Sequence, residues 1–175
     1  MLYSIILACT LDGGIGYNNY IPWNIKNELA LFKQITIKAS TDFKYNAIIM
    51  GRKTWDSLLY KPLKGRINIV ITKDDKFDTG DNVYAFNSLD KAFEFCEVST
   101  KVDKVFVIGG KTIYDACLNN ENHFKNIENV YLSVIYKYYN CNVLINLKKI
   151  LANFTTDIKS IIFDSQFLHL KLIKK

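Results

Sequence analysis

The chain has 175 residues, 49% hydrophobic and 23% charged, with a formal net charge of +6, a balance expected of one domain that buries roughly two thirds of its unfolded surface. No apolar run approaches the roughly 20 residues that span a bilayer, and the dispersed basic residues, without a basic run or a base-stacking signature, point to small polyanionic ligands rather than nucleic acid. The four cysteines, Cys9, Cys96, Cys117 and Cys141, fall at no metal or redox spacing, which favours reduced thiols in a cytosol-like compartment over a disulfide frame.

Leu2 to Leu11 lacks the basic flank and cleavage site of a secretion signal and reads as strand, Ser4 to Ala8 being apolar as in a strand covered on both faces. The loop from Cys9 to Asn24 holds Gly13, Gly14 and Gly16 and is long enough to serve as a lid. Its Gly14-Ile15-Gly16 starts like a dinucleotide fingerprint, but Asn19 stands where the third glycine belongs, so the motif fails.

A helix follows, with Asn24 as the expected N-cap and Ile25, Leu29, Phe32 and Ile35 at helical spacing along one face. Glu28 falls inside that stripe, although Lys26, Asn27, Lys33 and Gln34 occupy polar positions beside it. A carboxylate among apolar neighbours resists ionising, as a proton donor or relay near neutral pH requires. The bland alternative is an acid at the edge of the stripe, solvated where the helix dipole welcomes an anion.

Lys38 to Lys44 is a polar connection to the strand Ala47 to Met50, which ends in Gly51-Arg52-Lys53-Thr54. Strand, glycine, basic pair and hydroxyl at a helix start make a phosphate seat; a P-loop is excluded by Asn46 and Arg52 at its glycine and lysine positions. Gly65-Arg66 introduces a strand from Ile67 to Thr72, a polar stretch to Asp81 leads to Val83-Tyr84-Ala85, and a helix from Ser88 through Glu97 aligns Leu89, Ala92, Phe93 and Cys96. Val105 to Ile108 is a further strand, followed by Gly109-Gly110-Lys111-Thr112-Ile113-Tyr114 and a helix. Paired glycines there suit close backbone approach to a ligand or tight packing of helix on sheet.

From Asn129 the pattern changes. Val130 to Tyr139 reads as a long strand, Val143 to Ile145 as a short one, and Ile158 to Phe163 with Phe167 to Ile173 as a hairpin about Asp164-Ser165. Leu168, Leu170 and Leu172 alternate with His169 and Lys171 as on an antiparallel edge. His123 and His169 read as solvated surface residues. The fold class is therefore α/β: a single domain over 1–175, with a mixed, mostly parallel central sheet flanked by helices and an antiparallel C-terminal hairpin.

Ala8, Ile15-Gly16, Ile21-Pro22-Trp23, Glu28, Gly51-Arg52-Lys53-Thr54-Trp55, Pro62-Leu63, Gly65-Arg66 and Ile108-Gly109-Gly110 with Tyr114 occur in the order found in dihydrofolate reductases, which the chain resembles over nearly its whole length. The resemblance implies an NADPH-dependent oxidoreductase that reduces 7,8-dihydrofolate to 5,6,7,8-tetrahydrofolate, moving hydride to C6 and a proton to N5. It implies that Glu28 holds the pterin's amidine-like edge, that Trp23 holds an ordered water, and that the Ser133 hydroxyl supports the acid. Ile6, Ala8, Leu29, Phe32, Leu58, Leu63 and Ile108 would complete the substrate pocket, and Arg66 would take the glutamate carboxylate.

For NADPH the resemblance implies Ala8, Ile15, Gly16, Asn19, Gly51, Arg52, Lys53 and Thr54 on one side. Ile108, Gly109, Gly110, Lys111, Thr112, Ile113 and Tyr114 would lie on the other, with Thr72 and Lys73 at the adenosine 2'-phosphate. No metal is implied. A cytoplasmic monomer that binds dihydrofolate and antifolate inhibitors, without nucleic acid or membrane partners, is expected. Relatives commonly brace the lid with Gly-Asp-Thr; Cys141-Asn142-Val143 stand here, so a lid more prone to opening is expected. Two other readings are a nucleotide-binding module without turnover, which has no use for Glu28, Trp23 and Arg66 together, and a reductase of another pterin or a pyrimidine, which Arg66 disfavours.

Overall fold

In a computed structural model covering residues 1–175 the chain runs β1 (Tyr3–Thr10), β2 (Gly14–Gly16), α1 (Lys26–Ile37), β3 (Tyr45–Gly51), α2 (Arg52–Ser57), β4 (Arg66–Ile71), β5 (Val83–Phe86), α3 (Leu89–Val98) and β6 (Val102–Gly109). It continues through α4 (Lys111–Asn119), α5 (Glu121–Phe124), β7 (Ile127–Ile135), β8 (Val143–Leu144), α6 (Leu147–Asn153), β9 (Phe154–Thr156), a 3-10 turn at Ile158–Ser160, β10 (Ile162–Phe163) and β11 (Phe167–Lys174).

Residues alternate between two apolar faces because side chains along a strand point to opposite sides. Tyr3, Ile5, Leu7 and Cys9 join Ala47, Ile49, Val105 and Val107 on one face, under Leu89, Ala92 and Cys96 of α3 and Ile113, Cys117 and Leu118 of α4. Ile6, Ile48, Met50, Val70 and Phe106 form the other, under Phe32 and Ile35 of α1 and Trp55 of α2. A sheet buried on both faces is the parallel kind. The strand order is β10-β11-β7-β1-β6-β3-β4-β5, with β9 also on β11. Neighbours from β7 to β5 pair in parallel, and β11 is antiparallel to β7, β9 and β10. The expected fold class is the one observed.

The differences lie at element ends. Ile25, not Asn24, precedes α1, and no side chain caps it. The far end is tied by a buried residue of β3: Asn46 Nδ2 donates to the carbonyls of Thr36 and Lys38, both at 3.0 Å, satisfying acceptors that a helix end leaves free. The long strand expected to reach Tyr139 ends at Ile135, since Ile135 is the last residue facing β1 and the first facing β11, and beyond it no strand offers a partner.

Ile158–Ser160 is a 3-10 turn rather than strand because the Asp157 carboxylate accepts from Lys159 N at 3.2 Å, a local bond that competes with the ladder. β11 is an interior strand rather than an edge, so His169 is buried. His123 is buried as well, its ring bonded to Asp90 at 2.8 Å and to the Ala116 carbonyl at 3.3 Å. Neither histidine is the solvated surface residue expected.

β6 inserts between β1 and β3, and the carboxyl ends of these strands open on a common crevice, where ligands bind in open α/β sheets. The Cys9–Asn24 segment crosses that end. Within it β2 pairs with β8, and Gly14 lies so close to its neighbours that a Cβ there would stand 2.6 Å from Cys141 Cβ and Thr10 Oγ1.

Candidate active site

The crevice is a cleft of about 760 Å³. Ile6, Leu7 and Ala8 of β1 and Ile108 of β6 form its floor; Glu28, Leu29 and Phe32 of α1 form one wall. Leu29 is half-exposed because its side chain faces the cleft, whereas Glu28 is only 9% exposed. Burial pushes the Glu28 carboxyl above its ordinary value, and the neighbouring Ser133 hydroxyl opposes that shift. An acid held this way takes and gives up a proton closer to neutrality than a solvated one.

Of the expected substrate residues, Ile6, Ala8, Glu28, Leu29, Phe32, Leu58 and Ile108 line the cleft, and Leu63, Arg66 and Ser133, with Trp23, do not. Trp23 packs with Ile25, Ile135 and Phe167 and lies 5.5 Å, centroid to centroid, from Tyr139. Leu63, like Phe32 and Leu58, packs against the buried cluster of Ile6, Ile48, Met50, Val70 and Phe106, and its N–H donates to Asn68 Oδ1 at 2.9 Å. Ser133 sits across from Ala8 on β7.

Arg66 is 5% exposed, its guanidinium 5.8 Å from the Phe32 ring, donating to Thr36 Oγ1 at 2.9 Å and the Lys64 carbonyl at 3.3 Å. Burial lowers its pKa, and no carboxylate pairs with it. A guanidinium left without an anion in such surroundings favours one from outside.

The cofactor set converges more completely. Ala8, Ile15, Gly16, Asn19, Gly51, Arg52, Lys53, Thr54, Thr72, Lys73, Ile108, Gly110, Lys111, Thr112, Ile113 and Tyr114 all line the cleft, and Gly109 does not. Gly109 instead has φ +106°, and a Cβ on it would meet the Tyr114 ring at 2.9 Å, so packing of α4 on the sheet, one of the two roles weighed for the glycine pair, accounts for this position. Tyr114 holds that packing by donating its hydroxyl to the Ile6 carbonyl at 2.9 Å.

Not every expected cation is free. Arg52 is bonded to both oxygens of Asp56 at 3.0 and 2.9 Å and to Asp74 at 2.9 Å, and Lys111 to Asp115 at 2.8 Å. Lys53 and Lys73 have no ion-pair partner.

The lid keeps a brace at the position where relatives have the aspartate, made of neutral amide bonds. Asn18 N–H donates to Asn142 Oδ1 at 3.1 Å, Asn142 Nδ2 donates to Asn18 Oδ1 at 2.7 Å, and Asn142 N–H donates to the Gly16 carbonyl at 3.1 Å. The amide supplies the acceptor an aspartate would and adds a donor.

Leu7, Tyr20, Ile21, Ser57, Ile71, Asn87 and Val143 also line the cleft and were not expected. Tyr20 and Ile21 adjoin the Pro22-Trp23 motif, and Ser57 lies one turn beyond Thr54, so their neighbours carried a signal. Val143 belongs to the Cys141-Asn142-Val143 segment already compared with the lid brace; Asn87 carries no signal.

The family model described as dihydrofolate reductase matches residues 2–157. Among relatives, the dihydrofolate reductase of Pneumocystis carinii is 36% identical over 156 residues, covering 83% of this chain and 74% of that protein. That of Heliothis virescens is 38% identical over 144 residues, covering 79% and 76%. The bifunctional dihydrofolate reductase-thymidylate synthase of Glycine max is 44% identical over 124 residues, but these make up 67% of this chain and only 23% of that much longer protein. The matched span takes in every element of the cleft, and the chain belongs to the dihydrofolate reductase family.

Proposed function

We propose that Glu28 is the group through which this NADPH-dependent oxidoreductase, which reduces dihydrofolate to tetrahydrofolate, enables protonation at N5. The observation that carries the assignment is a buried carboxylate, raised in pKa, facing an otherwise apolar wall of Leu29, Phe32, Leu58 and Ile108. Apolar walls select a flat ring and exclude water; the carboxylate orients the ring by its amidine-like edge. Arg66, unpaired behind Phe32, takes the substrate's carboxylate tail. Trp23 and Ser133 hold the surroundings of the acid.

The residues present fit the cofactor. A Cβ on Gly110 would stand 3.1 Å from Thr54 Oγ1, so a larger residue at the start of α4 would crowd the Thr54 hydroxyl of α2, and unpaired Lys53 and Lys73 face the same cleft. Lys53, Thr54, Gly110, Lys111 and Thr112 would hold the phosphates, and Thr72 and Lys73 the 2'-phosphate. When bound, NADPH supplies the hydride.

The chain, in this reading, acts as one catalytic domain over residues 1–175, as a monomer in a reducing cytoplasm, and binds antifolates that present a like edge to Glu28. The free cysteines, of which Cys9, Cys96 and Cys117 are buried, accord with that compartment; no helix is long and apolar enough to cross a membrane.

The test is Glu28→Gln, which keeps the shape and removes the charge. Turnover at neutral pH is expected to fall by about 10² to 10⁴, with part of the loss returning at low pH, where solvent protonates the substrate, and NADPH binding unchanged. A variant within about tenfold of the parent, or a defect flat across pH, would remove Glu28 from proton handling.

A further inference from the structure

Behind Ser133 lies a histidine that the functional reading leaves unused. His169 of β11 faces Ser133 of β7 across an antiparallel pair, and Ser133 faces Ala8 of β1. The His169 Nδ1 is 3.0 Å from Ser133 Oγ, and the residue is 3% exposed. Ser133 in turn neighbours the Glu28 carboxyl, whose upward shift it opposes, and Glu28 lines the cleft.

The donor count orders these three groups. A serine hydroxyl has one proton and can accept through its oxygen, and a neutral imidazole is donor at one nitrogen and acceptor at the other. If Ser133 donates to the Glu28 carboxylate, its oxygen is left to accept, and Nδ1 of His169 must carry the ring proton. If Nδ1 is bare, Ser133 spends its proton on the imidazole and the carboxylate loses the donor.

We propose that His169 is a positioning residue for Glu28, whose Nδ1–H holds the Ser133 hydroxyl turned toward the carboxylate. The histidine remains neutral at working pH, since burial pushes its pKa down to about 4. It therefore acts as a fixed donor and not as a second charge in the site. The ionisable groups around these residues are Tyr114 from α4, Tyr131 from β7, which stacks on the His169 ring at 6.3 Å, and Lys171 across from Tyr131. Asp164, at the turn before β11, is taken by Asn27 Nδ2 at 2.8 Å. The inference rests on Glu28 being the proton-handling carboxylate.

Two measurements test it. Nitrogen-15 NMR of the histidine rings in the intact enzyme at neutral pH reads the tautomer directly, without turnover; Nδ1–H at His169 supports the proposal and Nε2–H overturns it. His169→Phe keeps the stack on Tyr131 and removes the donor, so Glu28 loses support for its ionised form. The pH at which hydride transfer falls off is expected to rise by about half a unit or more, a shift of roughly threefold in proton affinity, with NADPH affinity unchanged. His169→Asn, whose amide N–H can stand near the place of Nδ1, is expected to keep the parent profile; if the Phe variant does not fold, the tautomer read by NMR decides alone. Three superimposed profiles, or a downward shift in the Phe variant, overturn the proposal. Glu28→Gln fails or succeeds independently of the tautomer, so the functional reading and this one are separable.

Discussion

Lys73 and Arg66 carry the same charge in opposite surroundings, and that difference decides what each can be asked to show. Lys73 is exposed on the cleft rim without an ion-pair partner, so removing it takes away a charge and little else. Lys73→Ala is expected to weaken NADPH by about 1.5 to 3 kcal/mol, the worth of a charge-assisted bond, and to leave NADH nearly unchanged; equal losses in equilibrium titrations with both cofactors would end the assignment to the 2'-phosphate. Arg66, bonded to Thr36 and Lys64, also ties the end of α1 to β4, so its loss mixes binding with stability. Glu28 was legible in the sequence because an acid inside an apolar stripe breaks a local pattern. His169 was not, because alternation with Leu168 and Leu170 looks the same whether the polar face meets water or a covering helix. Asp56, four residues from Arg52, could have been foreseen as its partner; Asp74 could not, since only the return of β4 beside β3 brings it near.

Among elements, the parallel strands were the most legible, being apolar on both faces and closed by glycine or a basic residue. The short pieces were not. α6 is opened by Asn146, which accepts from Lys149 N at 3.0 Å, and a single cap beside seven helical residues leaves too little periodicity to read. The lid brace was legible only in part: the loss of a charged acceptor at Asn142 could be read, but not the pair of neutral bonds that Asn142 makes to the Asn18 N–H and side-chain oxygen. Asn142→Ala removes both side-chain bonds. At about 0.5 to 1.5 kcal/mol each, and at the low end for an exposed pair, it is expected to slow single-turnover hydride transfer by up to about tenfold. Asn142→Asp keeps the acceptor for Asn18 N–H, and the Asn18 amide can turn its donor side to the acid, so it is expected to stay within about threefold of the parent. An equal loss in the aspartate and alanine variants would show that the Nδ2 donor alone holds the lid.

For the whole molecule, the strand order depends on β6 passing between β1 and β3, a long-range choice that no local pattern announces. The same sheet makes stability depend on pH through its buried histidine. His169 titrates near 4 when folded and near 6.5 when unfolded, so between those values the unfolded chain binds the extra proton and acid favours unfolding. This contribution is intact above about pH 6.5, is lost progressively toward pH 4, and amounts to something on the order of 2 to 4 kcal/mol. Glu28, raised in pKa, works in the opposite direction, since ionisation above the unfolded carboxyl range disfavours the folded form. Urea midpoints at pH 7 and pH 5 are expected to differ in the parent and to draw together in His169→Phe. The amide brace of the lid adds a different consequence. On the proposed assignment, association of the cofactor with Lys53 and Lys73 is charge against charge and weakens as ions screen it, but Asn18 and Asn142 hold each other with no net charge on either side. Added salt is therefore expected to slow encounter without changing the rate at which a captured cofactor is enclosed, a difference that stopped-flow binding at two ionic strengths reads.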